Sequence, residues 1–220
     1  MKLMLMLLLS MVYQGAQCAP AKQLFQLYEN QRTTFFCEQP FSITGEITSY
    51  SGKHHPTLSD NITWMNIVPL KKLAPFYGCY QQKCVNQKGK ILQGLRCCRQ
   101  RDTQFQKMEK DLHNVVPETH VLKKQRERYA FTEFSPILTK KTGCHFVIDK
   151  KNKQLEPAPS KRGMIARTYL YMKDTYPFRL TEEEMVLYLR WHQQYPVTMA
   201  ERERNEKIIA LGGKRNHWVG

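Results

Sequence analysis

The chain has 220 residues, enough for one ordinary domain with a real core. It carries 34 Lys and Arg against 19 Asp and Glu, a formal net charge of +15. Such an imbalance speaks for a polyanionic partner, nucleic acid ahead of an anionic membrane surface or envelope polymer, and the lack of any internal repeat or low-complexity tract excludes repeat architectures and compositionally biased chains.

Lys2 is followed by an apolar run from Leu3 to Leu9 that extends to Val12, then by Gln14, Gly15, Ala16, Gln17 and Cys18. This is the layout of a secretory signal peptide over residues 1–18, with cleavage after Cys18 and residues 19–220 as the mature single domain. The run is too short to span a bilayer comfortably, and no later segment is long and apolar enough to form a membrane helix. Removing Cys18 leaves six of the seven cysteines, Cys37, Cys79, Cys84, Cys97, Cys98 and Cys144. An even number in an exported chain reads as disulfides, with the pairing open. Zinc is the rival, but the adjacent Cys97 and Cys98 lack the spacing of a zinc knuckle.

Leu24, Phe25, Leu27 and Tyr28 predict a short helix, and Thr34–Cys37 the start of a strand. Ile62–Val68 is β-branched and aromatic and ends at Pro69, which predicts a buried strand. Residues 70–102 are basic and show little periodicity, so disulfides are expected to order them. Asp102 is placed to cap a helix with Phe105, Met108 and Leu112 on one face, ending near Asn114. Residues 118–160 look irregular apart from a strand at His145–Ile148. The tail reads as three helices. Ser160 caps Arg162–Lys173, Thr181 with Glu184 forms a capping box, and Thr198 with Glu201 repeats it before Gly212-Gly213.

Three groups of motifs stand out against this background. Trp64-Met65-Asn66-Ile67-Val68-Pro69 lies on the predicted strand. Asp111-Leu112-His113-Asn114 follows, with Pro117 beyond. The tail carries Arg162–Met172, Trp191–Val197 and Glu201–Ile209. Together they resemble the endonuclease I family of secreted and periplasmic nucleases, from about Phe36 to the C-terminus. The resemblance implies an α+β fold, a mixed ββα-metal (His-Me finger) core with a helical C-terminal half, stapled by disulfides. It implies Mg-dependent phosphodiester hydrolysis of DNA, with RNA a further substrate, by a secreted or periplasmic monomer without a membrane span.

In the family a strand His is the general base, the preceding Glu and a helix Asn hold magnesium, and a cationic residue near the cysteine-rich loop meets phosphate. Carried over, Met65 occupies the position of the metal-binding Glu and Asn66 that of the His. Asn114 is the matching metal ligand. Glu109 is similar to an acidic residue upstream on the same helix. Arg96 resembles the phosphate-contacting Arg. Arg167 stands with it as a nucleic-acid contact, against the alternatives of clamping a loop or pairing with Glu201, Glu203 or Glu206. Arg202 and Arg204 read as a salt-bridged solvent face.

The two departures are chemically costly. A thioether is soft, whereas Mg²⁺ takes hard oxygen ligands. A carboxamide cannot accept a proton near neutrality. General-base catalysis is worth roughly 100- to 10,000-fold. His113, and His54 with His55, are the candidates for rescue; His192 and His217 read as structural. Two readings follow, a weakened nuclease and a catalytically inactive exported nucleic-acid-binding relative.

Overall fold

A computed structural model describes residues 21–48, 61–134 and 146–220. The signal peptide expected at residues 1–18, His54, His55 and Cys144 lie outside these residues. Helix α1 (Ala21–Leu27) buries Leu24 and Leu27. The following segment is turns and isolated bridges, Thr33 with Pro40 and Phe41 with Ile47. The strand expected at Thr34–Cys37 does not form. Thr34–Glu38 instead closes a tight turn through Glu38 N–H to Thr34 O (3.0 Å), with Glu38 at φ +52°.

Strand β1 (Ile62–Asn66) leads through Pro69 into the short helix α2 (Leu70–Leu73) and two 3₁₀ turns, Ala74–Phe76 and Gly78–Tyr80. A hairpin of β2 (Lys83–Val85) and β3 (Ile91–Gln93) comes next, then α3 (Leu95–Arg101) and α4 (Thr103–Glu109). Two disulfides, Cys79–Cys98 and Cys84–Cys97, tie the hairpin and the 3₁₀ turn to α3. Their loops of 19 and 13 residues each remove roughly 3 kcal/mol of unfolded-chain entropy. Cys37 is also disulfide-bonded. The long basic segment is therefore ordered by its cross-links, as its cysteines imply.

Asp102 caps α4 by accepting from Phe105 N–H at 2.9 Å. The helix stops at Glu109, short of the expected Asn114. Asp111 starts a separate 3₁₀ turn, Leu112–Asn114, by accepting from His113 N–H at 2.9 Å. Strand β4 (Val115–Thr119) then returns antiparallel to β1, setting Met65 opposite Val116 and Asn66 opposite Val115. Helix α5 (His120–Arg126) follows, so β1, β4 and α5 form a two-strand-and-helix unit.

The strand expected at His145–Ile148 appears as β6 (Phe146–Asp149), and residues read as irregular supply its two partners in a three-stranded sheet in the order β5 (Ala130–Phe131), β7 (Gln154–Pro157), β6. Strands β5 and β7, of two and four residues, are too short for a sequence pattern to reveal them. Three helices close the chain, α6 (Pro159–Thr175), α7 (Glu182–Gln194) and α8 (Met199–Ala210). Ser160 does not cap α6; Ala158 precedes it and Pro159 occupies the first turn. Thr181 and Glu184 do form the full capping box. Thr198 accepts from Glu201 N–H at 3.2 Å, but the Glu201 carboxylate turns inward to Arg167, so only half of the second box exists.

The main core joins both halves of the chain. Met65, Val116, Phe105 and Met108 pack in one cluster with Tyr169, Leu170, Tyr188 and Trp191. Tyr169 stacks on Tyr188 with centroids 4.2 Å apart. A smaller cluster on the other face of β1 and β4 joins Trp64 and Val115 to Leu24, Leu27, Leu112 and Ile208. The alternation of a strand explains this split, since odd and even residues of β1 face opposite sides.

Two buried polar groups hold this arrangement. Arg167 and Glu201, both under 8 % exposed, make a bidentate pair with both contacts at 2.6 Å. Arg167 also donates to Tyr195 O at 2.8 Å, fixing the α7–α8 loop. Glu118 of β4, fully buried, accepts from Phe36 N–H (2.7 Å) and Thr119 N–H (2.8 Å). Burial outweighs these hydrogen bonds and raises its pKa to about 7.

Arg167→Ala leaves the Glu201 carboxylate buried and unpaired, and is expected to lower stability by about 3–5 kcal/mol in urea unfolding. The raised Glu118 pKa means the native state holds a proton that the unfolded chain releases near its usual pKa. Its stabilising contribution is full below about pH 4.5 and is lost as pH rises through about 7. Thermal melts across that window should therefore show a falling midpoint, and Glu118→Gln should flatten the fall.

Candidate active site

The candidate centre is built where β1 leaves the sheet and the 3₁₀ turn enters it. Asn114 is fully buried. Its Oδ1 accepts from Val68 N–H at 2.6 Å and its Nδ2 donates to Val68 O at 3.0 Å. Ile67 N–H donates to Asn114 O at 2.9 Å. Side chain and backbone of Asn114 together grip the two residues after β1.

Met65 is 1 % exposed and points into the main core beside Val116. Asn66 lies on the opposite face, partly buried, with Nδ2 shielded and unpaired among the described residues. The sequence places Met65, Asn66 and Asn114 at one centre, and the structure brings all three to the same strand pair. It does not orient them alike. One faces the core, one the other side of the sheet, and one the Val68 backbone.

Asp111 anchors the turn from below. Its Oδ2 accepts from Tyr171 OH at 2.7 Å and Tyr176 OH at 2.6 Å. Burial, reinforced by the Asp111 charge, pushes both phenols well above their ordinary pKa, so they remain donors. His113 is buried against Tyr171, with ring centroids 4.5 Å apart. Its Nε2 lies 2.8 Å from Lys214 O, and a carbonyl only accepts, so Nε2 carries the proton. Burial lowers its pKa. This neutral ring ties the C-terminal segment to the turn, a structural task rather than rescue of the missing base.

Glu109 is buried and meets Arg99, with Nη2 to Oε1 at 2.6 Å, joining α4 to α3. Arg96 stands exposed on α3, immediately before the two disulfide-bonded cysteines, where a phosphate can reach it. Arg167 does not. Its side chain is 2 % exposed and committed to Glu201, so its assignment as a nucleic-acid contact is corrected to a buried bridge. Arg204, read as part of a solvent face, is also corrected. It donates to Leu112 O (2.6 Å), Val115 O (2.8 Å) and Tyr28 OH (2.6 Å), pinning α8 to the turn and to α1. Arg202 is exposed, as read.

Two supports of β1 escaped the sequence. Lys123 Nζ donates to Trp64 O at 2.9 Å. Arg126, 1 % exposed, donates to Ile67 O (2.8 Å) and Tyr169 OH (2.7 Å), with its guanidinium 3.7 Å from the Phe131 ring centroid. Nothing in the run Lys123-Lys124-Gln125-Arg126-Glu127-Arg128 distinguishes the buried cation from its solvated neighbours.

These residues do not fit a magnesium ion at the centre. Mg²⁺ demands octahedral oxygen ligands, usually with carboxylates. Here a thioether sits in the core, and the one matching carboxamide serves the Val68 backbone. Among the described residues no group of three or more His, Cys, Asp or Glu gathers to hold a metal.

Comparison with known proteins fits this architecture. The sequence model of the Endonuclease I family matches residues 29–220. The chain is 28% identical over 209 residues to a periplasmic deoxyribonuclease of Aeromonas hydrophila, covering 91% of this chain and 84% of the relative. It is 30% identical over 172 residues to an endonuclease-1 of Buchnera aphidicola subsp. Baizongia pistaciae (strain Bp), covering 77% and 66% respectively. It is 44% identical over 77 residues to an extracellular endonuclease of Pseudomonas fluorescens biotype A, 35% of this chain and 34% of that one. With the family model spanning almost the whole described fold and both strands of its centre, the chain belongs to the endonuclease I family.

Proposed function

We propose that this protein is an exported member of the family that binds the backbone of DNA, and of RNA, and hydrolyses it far more slowly than a complete relative. The observation that carries the reading is the pair at the end of β1. Met65 is sealed in the core and Asn66 presents an amide, so no side chain there both ionises and reaches solvent. The family's magnesium-assisted route therefore has neither its carboxylate nor its base, and no step is assigned to a metal. What this centre still offers is the polar carboxamide of Asn66, with its Nδ2 shielded from solvent.

Binding is supported by the distribution of charge. Residues 61–101 contain eight Lys and Arg and no Asp or Glu. Lys71, Lys83, Lys90, Arg96 and Arg101 among them are exposed. Backbone phosphates are the chemistry such a surface meets, and it reads them without sequence preference. Export is supported by the disulfides and by relatives named as periplasmic and extracellular deoxyribonucleases.

The test is plasmid nicking with Mg²⁺ or Mn²⁺ by the native protein and by the Met65→Glu/Asn66→His double variant, each checked for folding by circular dichroism. The double variant is expected to cleave at least roughly 100-fold faster. Native cleavage within tenfold of a double variant that folds and itself cleaves overturns the reading. Binding of a labelled duplex should also weaken steeply with salt. Five phosphate contacts give a slope of log K against log salt of about −4.5, and a flat response removes the backbone-binding role.

A further inference from the structure

Beside the 3₁₀ turn Ala74–Phe76 lie two adjoining clefts of about 480 and 400 Å³, both lined by Phe76, Tyr176 and Pro177. Phe76 is 40% exposed, although its ring is held by the buried Phe178 in a T-shaped contact with centroids 5.7 Å apart. Tyr176 is fixed by its hydrogen bond to Asp111, the residue that starts the turn carrying Asn114. The aromatic wall is thus rigid, open to solvent, and joined to the element that builds the candidate centre.

Cations stand around it. Lys107 and Lys214 line one cleft and Arg179 the other, and all three are exposed. The Lys214 ammonium lies 5.8 Å from the Tyr176 ring centroid. Tyr77 also lines the cleft with the two lysines and is 5% exposed, its buried hydroxyl without a hydrogen-bond partner among the described residues. Asp102 and Gln104 on the same wall add an acceptor and an amide able to meet the polar edge of a base.

Fixed aromatic faces interleaved with cations are the physical requirements for holding unpaired nucleotides. Each base stacks on a ring while its phosphates meet lysine or arginine. A duplex hides its base faces in its own stack and cannot use Phe76. We propose that this groove is a stacking site for single-stranded nucleic acid, with a base against Phe76 and Tyr176 and flanking phosphates on Lys107, Lys214 and Arg179. The inference rests on the nucleic-acid reading above and narrows it to unpaired strands.

The test is fluorescence anisotropy of the native protein with one labelled 12-nucleotide sequence, presented single-stranded and as a duplex. The single strand is expected to bind more tightly. Phe76→Ala should weaken the single strand about 5- to 100-fold and leave the duplex unchanged, while Phe76→Tyr restores binding. Lys107→Ala/Lys214→Ala should weaken the single strand more than Lys150→Ala on the β6–β7 turn. Thermal melts identify any variant that fails to fold, in which case the lysine variants decide. Equal affinity for both forms, or a single-strand affinity indifferent to Phe76→Ala and to the lysine pair, overturns the stacking site while leaving backbone binding intact. Native protein that binds neither form overturns both.

Discussion

The double hydrogen bond between the Asn114 carboxamide and the Val68 backbone fixes the geometry on which the candidate centre stands. A fully buried amide is tolerated only when its donor and acceptor are paired, and Val68 offers both complements at one residue. The grip sets the exit of β1 against the entry of β4, and with it the register that places Met65 over Val116 and Asn66 over Val115. A one-residue slip would exchange the core face for the other side. Asp111, His113 and Arg204 then secure the same turn from three directions, through α6, the C-terminal segment and α8.

That register gives the two departures from the family their physical meaning. Position 65 points into an apolar cluster, where methionine packs well and an ionised carboxylate needs a partner the cluster does not supply. The inner face of this strand pair is ordinary core. Position 66 keeps a polar side chain without a titratable one. The frame of β1, β4 and the Asn114 turn carries a thioether and a carboxamide at positions 65 and 66.

The charge of the chain divides into two populations with different roles. Arg126, Arg167 and Arg204 are turned inward. They satisfy carbonyls and one carboxylate, using the planar guanidinium to bridge several acceptors at once. The exposed cations of the disulfide-tied segment, and those around the Phe76 clefts, are the ones that can release counterions from a polyanion. Net charge alone therefore overstates the binding surface, and burial decides which cations belong to it. The cross-links to α3 allow a segment with little apolar content to hold its lysines in place.

Much of this was legible in the amino-acid order because its signals are local. The apolar run of β1 before Pro69, the Asp102 cap, the Thr181–Glu184 capping box and the cysteines of the basic segment each act within a few residues or imply a cross-link. The motifs around residues 64–69 and 111–117 carried the family in the same way. The rest depends on partners distant in the chain. Arg167 and Arg126 look like any surface arginine until Glu201, Ile67 and Tyr169 are brought beside them. The three-stranded sheet was legible only at β6, because its partners β5 and β7 are two and four residues long, too short to show a period. The direction each centre residue faces was equally hidden. A side chain's orientation follows from strand register and long-range packing, and those exist only once β4 has come back to β1.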